Sequence, residues 1–270
     1  MMVLPLPLKN KEVLKVDKEI ARDEVFRQLA EVYDPELDQP LTELGFIGGV
    51  DIAGDKVTVR FRLPTYWCAA NFAYMMSSDI RERVSELPWV KQVDVLLQDH
   101  FHDEEINEGI KHGKTFLTAF PDATDSLDDL RETFRVKAFQ ARQERVLRWL
   151  IRKGIQEEAI LRMRVGELEQ LLKKRQVAKL VKRYLNIRQE RGLPGDIGAE
   201  AFSHHDGTPI DPGGLQLLLN KASSTRLSME FNTAFCSGLL KTRYGEDKQG
   251  LKNADLEKDK TKESTGVIEA

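Results

Sequence analysis

The chain has only two cysteines in 270 residues, Cys68 and Cys236. Two thiols cannot build a disulfide framework, so a reducing cytoplasm is the expected compartment. No apolar run approaches the roughly 18 residues of a membrane span. The opening MMVLPLPLKNK carries two prolines and no basic residue ahead of its apolar stretch, so it does not read as a signal peptide. GxGxxG, Walker, GxSxG and CxxC patterns are all missing, which argues against common nucleotide-binding, serine-hydrolase and dithiol-redox roles. There is no internal repeat. Aromatic residues are sparse at 7%.

What is present is divided. The composition is 41% hydrophobic and 31% charged, enough for a sizeable core in one or two domains. The net charge of −3 hides a polarity: residues 1–130 hold 14 Lys+Arg against 25 Asp+Glu, and residues 131–191 hold 18 against 7. Such blockwise asymmetry predicts at least two functional parts.

The first part reads as α+β. Residues 17–33 predict a helix with Asp17 as its N-cap and Asp34-Pro35 as its stop. LTELG, 41–45, suits one helical turn. Residues 46–52 and the alternating KVTVRFRL, 56–63, predict a β-hairpin about Ala53-Gly54-Asp55. From Cys68 the apolar period lengthens through Ala69, Ala73, Met76, Ile80, Val84 and Leu87, an amphipathic helix closed by Pro88. Residues 89–98 predict a third strand, and 103–113 a short helix stopped by Gly113. The expected fold is a small domain with a mixed three-stranded sheet and helices, followed by an all-α extension.

In that extension, 125–154 predicts a long helix, 155–163 a short one, and 165–192 a second long one stopped by Gly192 and Pro194. Residues 195–214 read as a loop and 215–240 as one or two helices. The tail from Gly245 is polar and charged, with disorder expected. The expected domains are an N-terminal arm at 1–16, the α+β domain at 17–122, a basic helical region at 123–192, a loop with helices at 193–244, and a tail at 245–270.

Cys68 falls at a strand-to-helix junction. The free backbone N–H groups of a helix's first turn favour negative charge, and a thiolate is both nucleophile and metal ligand. Thr65, three residues earlier, is a candidate cap. A small buried apolar residue suits the same position, and residue chemistry alone favours that plainer reading.

Motif order adds to this. Asp34-Pro35-Glu36-Leu37 follows the first helix and leads into the LxELG turn. An alternating strand runs into Pro64-Thr65-Tyr66-Trp67-Cys68 and a long helix. LPWVKQVDVLLQDH, 87–100, supplies a strand of the lp-x-V-x-x-V-x-V type, with His100 and then Asn107 seven residues on. The stretch from about Asp34 to Asn107 resembles the iron–sulfur assembly domain of SufT-like and PaaD-like bacterial proteins and of the eukaryotic cytosolic iron–sulfur targeting factor. It departs from the bacterial pattern in having Ala69 where proline usually follows the cysteine, and only one threonine before it.

The resemblance implies a non-enzymatic factor that assembles or matures iron–sulfur or related metalloproteins. Cys68 would be its reactive thiol or metal contact, supported by Asp34, Glu36, Thr65, His100 and Asn107. A transient iron–sulfur cluster or iron would be its cargo. Since clusters are usually held by four thiolates, one cysteine implies a second copy, a client metalloprotein or another assembly protein as co-ligand. PaaD-like relatives point to an iron-dependent oxygenase as client.

His100 and His102 flank Phe101 and are candidate metal contacts; two histidines so spaced also suit a plain polar loop. The alternative function is a nucleic-acid-binding regulator built on residues 131–191, whose helices suit a helix-turn-helix and whose charge suits phosphates. Against it, the basic residues spread round the helices, Trp149 and Tyr184 stand alone, and the acidic neighbouring domain repels DNA. His204, His205, Asp206 and Asp211 are metal-ligand types in one loop, but their spacing fits no metal motif. Cys236 is expected on a buried helix face.

Overall fold

The computed structural model describes residues 10–124 and 126–245. The expected disorder beyond Gly245 and the character of residues 1–9 lie outside the described residues. Two compact units divide the chain. The first takes in the described residues up to Asp34, Gln39–Ser126, and those from Ala234 onward; the second takes in Pro35–Asp38 and Leu127–Thr233.

The first unit opens with α1 (Asn10–Leu29), so Asp17 lies within the helix body and not at its start. The helix also stops short of the expected Tyr33. Val32 instead accepts a backbone hydrogen bond from Leu41, and Tyr33–Asp34 (β1) pairs antiparallel with Gln39–Pro40 (β2). One turn of helix follows, α2 (Leu41–Leu44), ended by Gly45 at φ 76°, a conformation glycine adopts without a Cβ penalty. The hairpin is β3 (Ile47–Ala53) and β4 (Lys56–Arg62). Helix α3 (Ala70–Ser85) crosses to β5 (Gln92–Gln98), which lies parallel to β4, giving a mixed sheet of order β3-β4-β5. The fold is α+β.

The strand alternation explains the register. Val57, Val59 and Phe61 of β4 stand opposite Val93, Val95 and Leu97 of β5 and are all buried. Ala73, Met76, Ile80 and Val84 form the buried stripe of α3, spaced by three and four residues. Burying each side chain of Val, Ile, Met or Phe size contributes about 1.5–3 kcal/mol. Helices α4 (Asp103–Lys111) and α5 (Phe116–Ala119) follow β5, and Gly113, at φ 62°, takes the left-handed turn just past α4.

The second unit is helical: α6 (Leu127–Arg152), α7 (Glu157–Arg162), α8 (Val165–Leu171), α9 (Ala178–Glu190) and the start of α10 (Leu215–Tyr244). The single helix expected over 165–192 is broken at 172–177. On a continuous helix of about 100° per residue, Leu168 and Val177 would fall half a turn out of phase. The break lets both enter one core with Phe139, Leu147, Val181 and Tyr184. Ala201, Phe202, Ile210, Leu215 and Leu219 join that core, so residues separated at 192/193 in the sequence reading share it.

A buried carboxylate anchors this unit. Asp38, 2% exposed, receives Arg142 through Nε at 2.9 Å and Nη2 at 2.7 Å. Arg183 lies 3.2 Å and Arg145 3.7 Å from its Oδ2. A second buried acid, Glu144, takes Arg148 and Arg226, each at 2.9 Å. Much of the basic block's charge is thus consumed internally.

Candidate functional site

Strands β4 and β5 run parallel, so their C-terminal ends emerge on the same edge of the sheet. Beyond β4 the chain turns through Pro64 to Cys68; beyond β5 it turns through Asp99 to His100. The two turns meet. His100, 2% exposed, places Nε2 2.6 Å from the carbonyl oxygen of Cys68. A carbonyl only accepts, so Nε2 carries the proton. The backbone N–H of His102 donates to Nδ1 of the same ring at 3.1 Å. Both ring nitrogens are therefore occupied, and the neutral tautomer is set by its neighbours.

Burial lowers the His100 pKa from its ordinary 6.5, outweighing the hydrogen bond to Cys68, which raises it. A protonated ring would turn Nδ1–H against the His102 N–H. His100 thus orients the backbone of the thiol, with neither nitrogen left to bind metal or take a proton.

Cys68 is partly exposed and its thiol is free. Helix α3 begins at Ala70, so the cysteine sits ahead of the helix and not in its first turn. Thr65 does not cap α3, whose N-cap Ala69 has no side-chain bond. Its hydroxyl instead lies 3.3 Å from Cys68 Sγ. The turn that brings the Thr65 side chain to the thiol also bonds Cys68 N–H to the Thr65 carbonyl.

Aromatic side chains flank the thiol. Trp67 is 79% exposed and Phe101 59%. Tyr66 joins them edge to face, with ring centroids 5.5 Å from Trp67 and 5.9 Å from Phe101. The Phe101 N–H donates to the Tyr66 carbonyl, stitching the two turns together.

Asn107, on α4, donates to the Leu97 carbonyl at 3.0 Å and accepts from its N–H at 2.8 Å. It satisfies both polar groups of one residue on an edge strand, a scaffold role. Asp34 is buried in β1. Glu36 belongs to the second unit, where Asn232 Nδ2 donates to it at 3.3 Å. Cys236 is half-buried on α10 instead of fully buried. Among the described residues no three His, Cys, Asp or Glu side chains are grouped to hold a metal, the 204–211 loop included.

The end of α10 supplies what sequence reasoning missed. Arg243 donates to the carbonyls of Leu63 at 3.3 Å and Asp99 at 2.6 Å, the residues from which the two turns depart. Arg62 lies over the Tyr244 ring, 4.3 Å from its centroid. Asp99 holds a left-handed φ of 55°, uncommon for a non-glycine residue and sustained where surroundings enforce it.

Known proteins share part of this sequence. The family model described as iron–sulfur cluster assembly protein matches residues 22–95, a span that includes Cys68, strands β3 and β4 and the start of β5. An uncharacterised protein of Methanocaldococcus jannaschii is 31% identical over 94 residues, which cover 34% of this chain and 96% of that protein. The chain belongs to the iron–sulfur cluster assembly protein family, and its general role is in that assembly. Leu127–Thr233 of the helical second unit lie outside the family-model match, as do His100 and Asn107. Among the described residues no helix is long and apolar enough to cross a membrane.

Proposed function

We propose that the protein acts through Cys68 as a carrier or client-targeting adaptor that hands an iron–sulfur cluster, or iron, to a metalloprotein, without enzymatic turnover. The supporting observation is the partly exposed thiol on a turn whose carbonyl His100 holds, beside the exposed rings of Trp67 and Phe101. On binding, the thiol loses its proton to solvent and its sulfur donates to iron. Thr65 Oγ can hydrogen-bond the sulfur before and after. One thiolate leaves most iron positions to other ligands, so the cargo is held jointly with a client, another assembly protein or a second copy, and is passed on by ligand exchange. The aromatic surface would dock that co-ligating partner. An iron-dependent oxygenase is the client class that the resemblance to PaaD-like proteins favours, and a reducing cytoplasm is the compartment that suits a working thiol.

Anaerobic reconstitution with iron and sulfide tests the reading, with wild type and Cys68→Ala side by side. Visible absorption and bound iron that vanish in the variant are expected. Iron bound equally by both would remove Cys68 from the site. Iron bound by neither would discard the carrier form and leave the adaptor, testable by co-purification of a client that depends on Trp67 and Phe101.

A further inference from the structure

Most arginines around the second unit's core are committed to partners. Arg142, Arg145 and Arg183 serve Asp38, Arg148 and Arg226 serve Glu144, Arg191 serves Glu132, and Arg188 donates to the carbonyls of Pro194, Glu200 and Ala201. Lys153, Lys174 and Arg175 differ. None has a carboxylate within ion-pair reach among the described residues, and all three line one open cavity of about 640 Å³. No acidic side chain lines it.

The cavity has a second chemical character. Its walls are Trp149, Ile155 and Leu171, with Trp149 packed against the core below and Lys153 Nζ 5.6 Å from its ring centroid. Gln176, also in the lining, lies two residues ahead of α9, whose N-cap Val177 provides no side-chain bond. The positive end of a 13-residue helix thus begins beside the cations. Three like charges around a concave wall, with no acid among them, raise the local positive potential and favour an anion. An anion alone would leave the indole and aliphatic wall unused. The volume falls within the roughly 300–1,000 Å³ of small-molecule sites.

We infer that this cavity is a binding site for a nucleoside phosphate, with the base against Trp149 and the phosphates on Lys153, Lys174 and Arg175. The same chemistry comes from a free nucleotide or from a nucleotide of a single strand. One indole is enough to stack one base, so the isolation of Trp149 along the chain does not count against it. The site shares no residue with the Cys68 turn and does not rest on the role proposed for the thiol.

The test is isothermal titration of the full chain with ADP, pyrophosphate, adenosine and a uridine oligonucleotide. ADP should bind more tightly than pyrophosphate or adenosine, and Lys174→Ser with Arg175→Ser should weaken it about tenfold or more, as lost charge-assisted contacts do. These exposed cations can be replaced without disturbing the core. Trp149→Phe, which keeps a ring against the core, should weaken ADP less than the paired change. Oligonucleotide binding tighter than ADP, with the same residue dependence, would identify a nucleic acid as the source and support the site. Pyrophosphate binding as well as ADP would overturn the base contact. Absence of binding by both ADP and the oligonucleotide, or binding indifferent to Lys174 and Arg175, would overturn the site. Cys68→Ala should leave every titration unchanged.

Discussion

Replacing His100 with phenylalanine separates an orienting role from a space-filling one. The ring volume stays nearly the same, so packing is preserved. Two backbone groups lose their partner: the Cys68 carbonyl, 2.6 Å from Nε2, and the His102 N–H, 3.1 Å from Nδ1. A buried polar group left unpaired costs about 1–3 kcal/mol, and both sit at a site edge that water can partly reach, so the low end applies and the sum is about 2 kcal/mol. Urea denaturation measures it. Freeing the thiol's turn from about 1 kcal/mol of restraint should raise its open population roughly fivefold, read as faster iodoacetamide labelling of Cys68 in a Cys236→Ser background. The acid response carries an independent signature. Burial holds the His100 pKa below 6.5 in the folded protein. Between that lowered value and the ordinary one, the unfolded chain binds more protons. Stability should therefore fall as pH drops below 6.5, and the loss should be complete below the folded value. His100→Phe should remove this component of the acid limb. A variant that loses stability yet labels at the wild-type rate and keeps the same acid slope would refute the orienting role.

Three further outcomes follow from the geometry. Asp38→Ala strands the buried Arg142 and should destabilise the helical unit by about 3–5 kcal/mol, measurable by urea denaturation. Asn107→Ala unpairs both backbone groups of Leu97 and should cost about 2 kcal/mol, with faster hydrogen exchange at the Leu97 amide. Arg243→Ala removes the donors to Leu63 and Asp99 and should speed amide exchange from Asp99 to His102, while exchange in β4 stays slow.

The α+β domain was largely legible because its signals are local. Alternation over Val57, Val59 and Phe61 and the shift of period after Cys68 each declare an element within a few residues. The break at 172–177 was not, because Leu168 and Val177 conflict only once both must enter the same core. Asp38 gave no sign of its importance, since its three arginines lie more than a hundred residues away. The histidine motif singled out His100, whose ring holds the Cys68 carbonyl. Only the geometry separates a ring that holds a carbonyl from one that holds a metal. Arg243 carried no motif at all; its role depends on where a 30-residue helix ends.

The parallel pairing of β4 with β5 also dictates an order of events while the chain folds. The β3–β4 hairpin closes a short loop and can form within microseconds. The strand that brings His100 has to wait for α3 to form and cross over, a slower, non-local step. Until β5 docks, Cys68 has Thr65 beside it but no ring holding its carbonyl. An incompletely folded or freshly synthesised chain therefore carries the thiol without the ring that holds its carbonyl, and the hydrogen bond between the two turns marks the moment at which the Cys68 turn is complete.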